Sequence, residues 1–256
     1  MTATAATRNT GPSSRFGSLL RIELKLYRRE PLLLFWGLAF PLVLLIVLGL
    51  ASHGPQKSLG GLRLIVVYTP VVMMFTLVIL GLSAMPAALA SYRDKGYLRR
   101  LSTTPVGAAR LLAAQITIVL ALATCVVILL VLVSHFWFSV PLPGQLGGFI
   151  LAVALTAASV IALGTLVTAL APTQRIASAI GSVLLFPLMF FAGLWVPQAD
   201  MGTTLRTISH YTPLGAGAPA IQNAIVGQWP GTTHLLVVFA WAVVVGALAT
   251  RLFRWE

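Results

Sequence analysis

The chain has 256 residues, of which 58% are hydrophobic and only 9% are charged. Soluble domains carry about 25% charged residues, so this composition excludes an ordinary soluble protein. The formal net charge of +12 is a balance that nucleic-acid-binding proteins also show. Here, however, the basic residues lie beside apolar segments, so lipid headgroups are the expected partner and nucleic acid is not.

Residues 1–13 are expected to be disordered, and residues 14–30 are expected to form an amphipathic helix in the membrane interface. Arg21, Lys25 and Arg28 share one face of that helix, and a broad apolar arc covers the other. Glu23 falls in the apolar arc, where a lone carboxylate would be costly, so a basic partner is expected for it. The helix is a simple membrane anchor, or it also contacts a cytoplasmic partner through Glu23, Arg28, Arg29 and Glu30.

Six membrane spans are predicted within residues 31–256, which form one transmembrane domain. No Lys, Arg, Asp or Glu lies between Arg110 and Arg175 or between Arg206 and Arg251. In hydrocarbon the backbone must satisfy its own hydrogen bonds, so apolar segments of this length are expected to be helices. The predicted spans are Leu32–Leu50, Leu64–Ala90, Leu111–Val133, Leu146–Leu170, Ile176–Pro197 and Thr233–Thr250, with a kink at Pro41 and a tilt or break near Pro86. The predicted fold class is an all-α polytopic membrane protein.

The basic residues predict the orientation. With both termini in the cytoplasm, fourteen of the seventeen basic residues are cytoplasmic, and only Lys57, Arg63 and Arg206 lie outside. This asymmetry is what the positive-inside rule requires. We therefore expect a multi-pass protein of the plasma or inner membrane with both termini inside.

The segment 91–110 is the longest internal cytoplasmic loop. Arg93, Asp94 and Lys95 are expected to start a short helix, Leu98 and Leu101 give it an apolar face, and Thr104 and Pro105 end it. Such a helix with basic flanks suits a groove on another protein. The alternative is a solvated loop that follows the positive-inside rule.

The outer segment 199–230 precedes the last span. Pro213, Pro219 and several Gly residues make it unsuitable as a seventh span, yet apolar residues recur in it at helical spacing. We expect a re-entrant pair of short helices.

Residues suited to catalysis or metal binding are sparse. All five acidic residues lie outside the predicted spans, and the four histidines are widely spaced on the outer side. No catalytic or metal-binding residue is therefore assigned. An ion-coupled secondary transporter, which needs titratable groups in its spans, and an intramembrane enzyme are the alternatives.

Four motifs resemble those of type-two ABC exporter permeases, the membrane subunits of drug, polysaccharide and lipid exporters. Arg29-Glu30-Pro31 resembles the family's entry to the first span. Gly96, Leu98, Leu101 and Pro105 match the loop pattern Gly-x-Leu-x-x-Leu-x-x-x-Pro. Gly193 and Pro197 match the end of the fifth span, and Ile208-Ser209 with Pro213-Leu214 matches the outer segment.

The resemblance implies a pair of permease copies, identical or related, above a dimer of ABC ATPase subunits. The loop would be the coupling helix, with the ATPase contacts Arg93, Asp94, Gly96, Leu98, Arg99, Arg100, Leu101, Thr104 and Pro105. The chain has no G-x-x-x-x-G-K-[ST] phosphate loop. ATP and Mg²⁺ are thus expected on the partner, and this chain is expected to be non-catalytic and to bind no cofactor.

The cargo that the resemblance implies is amphipathic: a drug, a lipid or a lipid-linked glycan. An adaptable apolar path is suggested by aromatic and Met side chains on the second and fifth spans. Its candidate residues are Met73, Phe75, Thr76, Phe186, Met189, Phe190 and Trp195. The alternative is that these side chains only pack between helices.

Overall fold

A computed structural model of the chain describes residues 12–27, 29–52, 61–94 and 108–252. Within these ranges the chain folds into α-helices joined by short turns. The helices are α1 (Pro12–Tyr27), α2 (Pro31–Leu50), α3 (Leu64–Asp94), α4 (Ala108–Phe138), α5 (Leu146–Leu170), α6 (Gln174–Ala192), α7 (Thr203–His210), α8 (Pro213–Ile225) and α9 (Thr232–Leu252).

Six of these helices, α2 to α6 and α9, are long and apolar enough to cross a membrane. The six predicted spans and the all-α class are therefore confirmed, with shifts at the ends. The third span continues to Phe138. The fifth ends at Ala192 and not at Pro197, because Gly193 adopts a left-handed conformation with φ 93° and caps the helix.

The amphipathic segment is helical, but α1 stops at Tyr27, before the predicted end at Glu30. The N–H groups of Arg29 and Glu30 bond back to the carbonyls of Leu26 and Tyr27 in a turn. Pro31 then begins α2, a position where its missing N–H and fixed φ suit a helix start.

Proline widens α2 and α3 locally. A π-helical segment, Phe35–Ala39, lies directly before Phe40-Pro41 in α2, and another, Ile79–Ala84, lies before Met85-Pro86 in α3. Proline cannot donate a backbone hydrogen bond, and an inserted residue relieves its clash with the preceding turn. The predicted break near Pro86 thus takes the form of a π-bulge.

Glycines let two neighbouring helices approach this bulge. A Cβ at Gly181 of α6 would lie 2.8 Å from the carbonyl oxygen of Leu82, and one at Gly164 of α5 would collide with the carbonyl of Gly81. Only hydrogen fits at both positions. The backbones of α5 and α6 therefore pack directly on the widened turn of α3.

Helix α3 is the most buried span and forms the centre of the bundle. It packs against α2, α4, α5 and α6, while α9 lies along α5.

Where the re-entrant pair is predicted, the structure has the short helices α7 and α8. Helix α8 is buried against α3, α5, α6 and α9. Helices α4 and α5 scarcely touch each other along their length, although they are consecutive.

Candidate functional site

The end of α3 is tied to the α5–α6 turn by Arg93. Its Nη1 donates to the carbonyl oxygens of Ala171 at 2.8 Å and Thr168 at 3.2 Å. These carbonyls belong to the C-terminus of α5, where the last turn has no intrahelical donors. A guanidinium there satisfies them and complements the negative end of the helix dipole.

Asp94, the next residue, holds the other side of the same turn. Its Oδ2 accepts a hydrogen bond of 2.9 Å from the backbone N–H of Gln174, the first residue of α6. Thr173 caps α6 as well, accepting from the N–H of Ile176 at 3.3 Å. A carboxylate at this N-terminus complements the positive end of the dipole. Arg93 and Asp94 thus match the opposite charges of two helix ends, and we call this pair the helix-end clamp.

Tyr92 connects the same end of α3 to α1. Its Oη donates to the Glu23 carboxylate, at 2.8 Å to Oε2 and 3.0 Å to Oε1. Gln115 of α4 donates from Nε2 to Glu23 Oε2 at 2.6 Å, and it accepts from Tyr27 Oη at 2.9 Å. Glu23, Tyr27, Tyr92 and Gln115 form one polar cluster between α1, α3 and α4.

Glu23 is only 3% exposed. Burial raises the pKa of its carboxyl above the usual value of 4.5, and the hydrogen bonds from Tyr92 and Gln115 oppose part of that rise. The sequence-based expectation of a basic partner needs correction, because these donors are neutral and belong to the same chain. One hydroxyl, from Tyr92, and one amide, from Gln115, satisfy the carboxylate, so α1 is fastened to the bundle through it.

The expected ATPase contacts divide into two groups. Arg93 and Asp94 do not start a new helix as predicted; they are the last residues of α3 and make the intramolecular contacts above. Arg28 and the rest of the predicted loop lie outside the described residues: Gly96, Leu98, Arg99, Arg100, Leu101, Thr104 and Pro105. Arg29 and Glu30 are exposed in the turn between α1 and α2.

A cavity of about 240 Å³ lies beside the polar cluster, between α1, α3 and the start of α6. Its lining includes both carboxylates, Glu23 and Glu30, with Tyr92 and Gln174. Of the four interfacial-helix candidates, Glu23 and Glu30 are thus brought to one place, whereas Arg29 is exposed and lies outside this lining.

The predicted path residues also separate into two sets. Phe186 and Trp195 stack with ring centroids 5.9 Å apart and interplanar angle 15°, and both are largely exposed. With Pro187, Phe190 and Phe191 they line a shallow depression of about 450 Å³, which we call the α6 aromatic surface.

The remaining path candidates are in the core. Met73, Thr76 and Met189 are fully buried, and Phe75 is 6% exposed with its ring 5.1 Å from that of Phe40. Within one chain these four side chains pack between helices, so the structure does not bring them to the α6 aromatic surface.

Gln198, which the sequence did not indicate as a functional residue, connects the end of α6 to the outer helices. Gln198 Nε2 donates to the carbonyls of Phe191 at 2.8 Å and Gly215 at 2.9 Å, and to Ser209 Oγ at 2.9 Å. Ser209 Oγ in turn donates to Phe191 O at 2.7 Å. The end of α6, helix α7 and the start of α8 are therefore fixed together by one amide and one hydroxyl.

The fold also pairs two histidines that are distant in sequence. His210 Nδ1 and His234 Nε2 are 2.9 Å apart, with the rings stacked at 5.0 Å between centroids. The expectation that all four histidines are widely spaced is thus wrong for this pair. Within the part of the chain that the structure describes, no three His, Cys, Asp or Glu residues gather as metal ligands would.

Six helices that are long and apolar enough to cross a membrane, with α1 fastened to them, define a multi-pass membrane protein. The family model of ABC-2 type transporters matches residues 14–226, so the chain belongs to that family. It is the permease subunit of an ABC transporter, and its partner is an ABC ATPase. No curated protein matches the chain significantly.

Proposed function

We propose that this permease is the non-catalytic membrane half of an exporter that moves an amphipathic molecule out of the cytoplasm or the inner leaflet. The cargo class is a hydrophobic drug, a lipid or a lipid-linked glycan. ATP and Mg²⁺ are bound and used by a pair of ATPase subunits at the cytoplasmic face. Two permease copies, identical or related, enclose the path in the plasma or inner membrane.

The observation that carries the proposal is the attachment of α3 at its end. Tyr92, Arg93 and Asp94, the first residues of the predicted loop, lie on the last turn of α3 and bond to α1, α5 and α6 respectively. Force applied to the loop is therefore passed to three helices through short, partly charge-assisted hydrogen bonds.

The α6 aromatic surface supports an amphipathic cargo. Phe186 is 62% exposed and Trp195 is 50% exposed. Flat aromatic faces at a path between two permease copies would bind apolar groups of varied shape with little geometric selectivity. The second copy would supply the opposite wall.

Orientation with both termini in the cytoplasm is part of the proposal and rests on the asymmetry of basic residues. Arg93, Arg110, Arg175 and Arg251 all lie at one end of the described bundle, the end that also carries α1.

The ion-coupled alternative has less support. Glu23, the buried carboxylate, lies on α1 and not inside a span, and Asp94 lies at the last position of α3. Transporters driven by protons or Na⁺ place such groups near the middle of the membrane.

The test is transport by the purified complex of permease and ATPase in proteoliposomes. Complexes whose ATPase faces the outside should load a fluorescent amphipathic drug or a labelled lipid into the vesicles when Mg-ATP is added outside. The permease alone should hydrolyse no ATP, and a complex whose ATPase lacks its phosphate-loop Lys is the matched control. Uptake driven by a pH gradient without ATP, or ATP hydrolysis by the permease alone, would contradict the proposal.

A further inference from the structure

Two histidines contact each other at the end of the bundle opposite α1, apart from the α6 aromatic surface. His210 is the last residue of α7, and His234 is the third residue of α9. His210 Nδ1 and His234 Nε2 lie 2.9 Å apart, and both rings are half-buried. A hydrogen bond between two imidazoles needs one nitrogen that carries a proton and one that does not. The contact therefore requires at least one neutral ring.

The position of the proton follows from the far nitrogen of His234. This atom, Nδ1, is buried, and no described group bonds to it. A Cβ at Gly231 would lie only 3.0 Å away, so the glycine backbone covers this edge of the ring. Buried N–H groups without an acceptor are rarer than buried acceptors without a donor. Neutral His234 therefore carries its proton on Nε2 and donates it to Nδ1 of His210.

This arrangement opposes a further proton on either ring. A proton on His234 Nδ1 would place a positive charge and an unsatisfied N–H in a buried position. A proton on His210 Nδ1 would face the Nε2–H of His234, so two donors would meet and the hydrogen bond would be lost. A free imidazole takes up a proton near pH 6.5. Acid should therefore break the contact between the rings.

The helices around the two rings bring few other charges to them. Helices α5 and α8, which pack on α9, contain no titratable residue, and neither does the turn between α8 and α9. The basic residues of α6 and α9, Arg175 and Arg251, are at the other end of the bundle. Beside α7 are Asp200 in the preceding turn and Arg206 one helical turn before His210. Because these two charges are opposite, the rings themselves mainly determine when protons bind.

A second hydrogen bond joins the end of α7 to α9 and does not respond to acid. The indole Nε1 of Trp241 donates to the carbonyl oxygen of Tyr211 at 2.8 Å. Neither group takes up a proton at mildly acidic pH, and a phenol such as the side chain of Tyr211 ordinarily titrates near pH 10. Of these two contacts, the one between the histidines alone depends on pH.

We propose that His210 and His234 form a pH-sensitive contact, which holds α7 against α9 at neutral pH and opens when the side of the membrane opposite α1 becomes acidic. Below about pH 6 the rings take up protons and separate, and Trp241 remains to hold the end of α7. In the proposed orientation the contact responds to the pH outside the cell.

Opening of the contact reaches the α6 aromatic surface through Ser209, the neighbour of His210. The Ser209 hydroxyl donates to the carbonyl oxygen of Phe191 at the end of α6. When α7 is held less firmly, the end of α6 is positioned less firmly, and export should slow. This consequence rests on the proposed function, whereas the opening of the contact does not.

The first experiment follows protonation by NMR in the full-length permease labelled with ¹⁵N in its histidine rings. His53 and His135 are replaced by Gln, so that only the two rings in contact give signals. Both should be Nε2–H tautomers at pH 7.5, should remain neutral at pH 6, where a free imidazole is mostly charged, and should become charged by pH 4.5. Rings that are half-charged at pH 6.5 or above, or that stay neutral at pH 4.5, would overturn the proposal.

Melting temperatures provide the matched comparison. The Glu23→Gln background is used because that carboxyl has the opposite pH effect. There the melting temperature should fall by several degrees from pH 7.5 to pH 5, since unfolding frees the rings to bind protons. Adding His210→Gln should abolish the fall, whereas adding His135→Gln, a histidine bonded to the carbonyl of Val140, should not. Equal falls in these two variants would overturn the proposal. If His210→Gln does not fold, the NMR titration decides.

Transport by the complex of permease and ATPase tests the consequence for export. In proteoliposomes whose ATPase faces outward, the lumen corresponds to the side that carries the two histidines. ATP-driven uptake of a fluorescent amphipathic drug should fall several-fold when the lumen is buffered at pH 5 instead of pH 7.5. His210→Gln should show the lower rate at both values. No uptake by wild type at either pH would contradict the proposed function, whereas an equal effect of acid on wild type and His210→Gln would overturn the regulation by these histidines.

Discussion

Glu23 and Gln115, which are 92 positions apart in the chain, share a hydrogen bond of 2.6 Å between Gln115 Nε2 and Glu23 Oε2. The bond joins helix α1 to the third span, α4. Gln115 uses both ends of its amide, since its Oε1 accepts from Tyr27. The amide of Gln115 thus hydrogen-bonds to two buried polar side chains of α1, Glu23 and Tyr27.

Gln115→Leu should destabilise the permease by removing both of these bonds. Leaving a buried partner unsatisfied costs about 1–3 kcal/mol, and more when the group is charged. The apparent melting temperature of the purified chain in detergent should fall by several degrees. The control is Thr117→Val on the same helix, where the exposed hydroxyl bonds only to its own helix. Equal melting temperatures for the two variants would contradict the role of the cluster.

Glu23 should make stability depend on pH. Because burial raises the pKa of this carboxyl above 4.5, the folded state binds the proton more tightly than the unfolded state. The resulting stabilisation is complete below pH 4.5 and is lost as the pH rises through the raised value. Melting temperatures of wild type and Glu23→Gln, measured from pH 4.5 to 8, should show this loss in wild type only. If the melting temperatures of the two proteins change with pH in parallel, Glu23 is not the source of the pH dependence.

Asp94→Asn should weaken the helix-end clamp while leaving the ATPase bound. A charge at a helix terminus contributes about 0.3–1 kcal/mol at exposed positions and up to about 2 when partly buried. We expect drug-stimulated ATP hydrolysis of the complex to fall several-fold, with basal hydrolysis retained. Asp94→Glu should restore part of the stimulation. Arg175→Gln, an exposed substitution in the first turn of α6, is the control, and a similar loss there would indicate a general charge effect.

Leu101→Asp should detach or uncouple the ATPase, whereas Arg99→Ala should weaken its binding mildly and in a salt-dependent way. Burying a Leu side chain in a partner's groove is worth roughly 1.5–3 kcal/mol, and a charge at the rim of an interface is often worth less than about 1 kcal/mol. The readouts are co-purification of the ATPase and transport-linked ATP hydrolysis. If Leu101→Asp behaves like wild type in both assays, the loop is a solvated connector.

Cysteines at positions 102 and 203 should differ in accessibility. In a Cys125-free background, an impermeant thiol reagent applied to intact cells should label Thr203→Cys and not Ser102→Cys. The reason is the concentration of basic residues at the end of the bundle that would face the cytoplasm. Labelling at position 102 before the cells are lysed would contradict the orientation with both termini inside.

Hydrophobic patterning predicts the spans well, because in a membrane the need to satisfy the backbone internally leaves few alternatives. It predicts Pro86 as a point of change in α3, but not the π-bulge or the close approach of Gly164 and Gly181. Those details depend on which helices neighbour α3, and hydropathy contains no such information.

The polar contacts were the least predictable part. Gln115 is the one amide side chain in the third span, and a polar group there signals an internal partner. That partner, Glu23, is on a helix that patterning places at the interface. Arg93 and Asp94 are evident in the sequence as charges, but their targets are backbone groups of Ala171 and Gln174. Every residue has a backbone carbonyl, and every residue except proline has an N–H, so the sequence does not identify these targets.

Because Asp94 holds the start of α6, a movement at that end would be transmitted along the whole helix. Its first residue, Gln174, is held beside the root of the predicted coupling loop, and its far end carries Phe186 and the stacked Trp195 beyond it. From Gln174 to Ala192 the helix extends about 27 Å. A tilt of a few degrees at the clamped end would displace the distant rings by an ångström or more. A small movement of the clamped end would thus be enlarged at the surface where we propose that cargo binds.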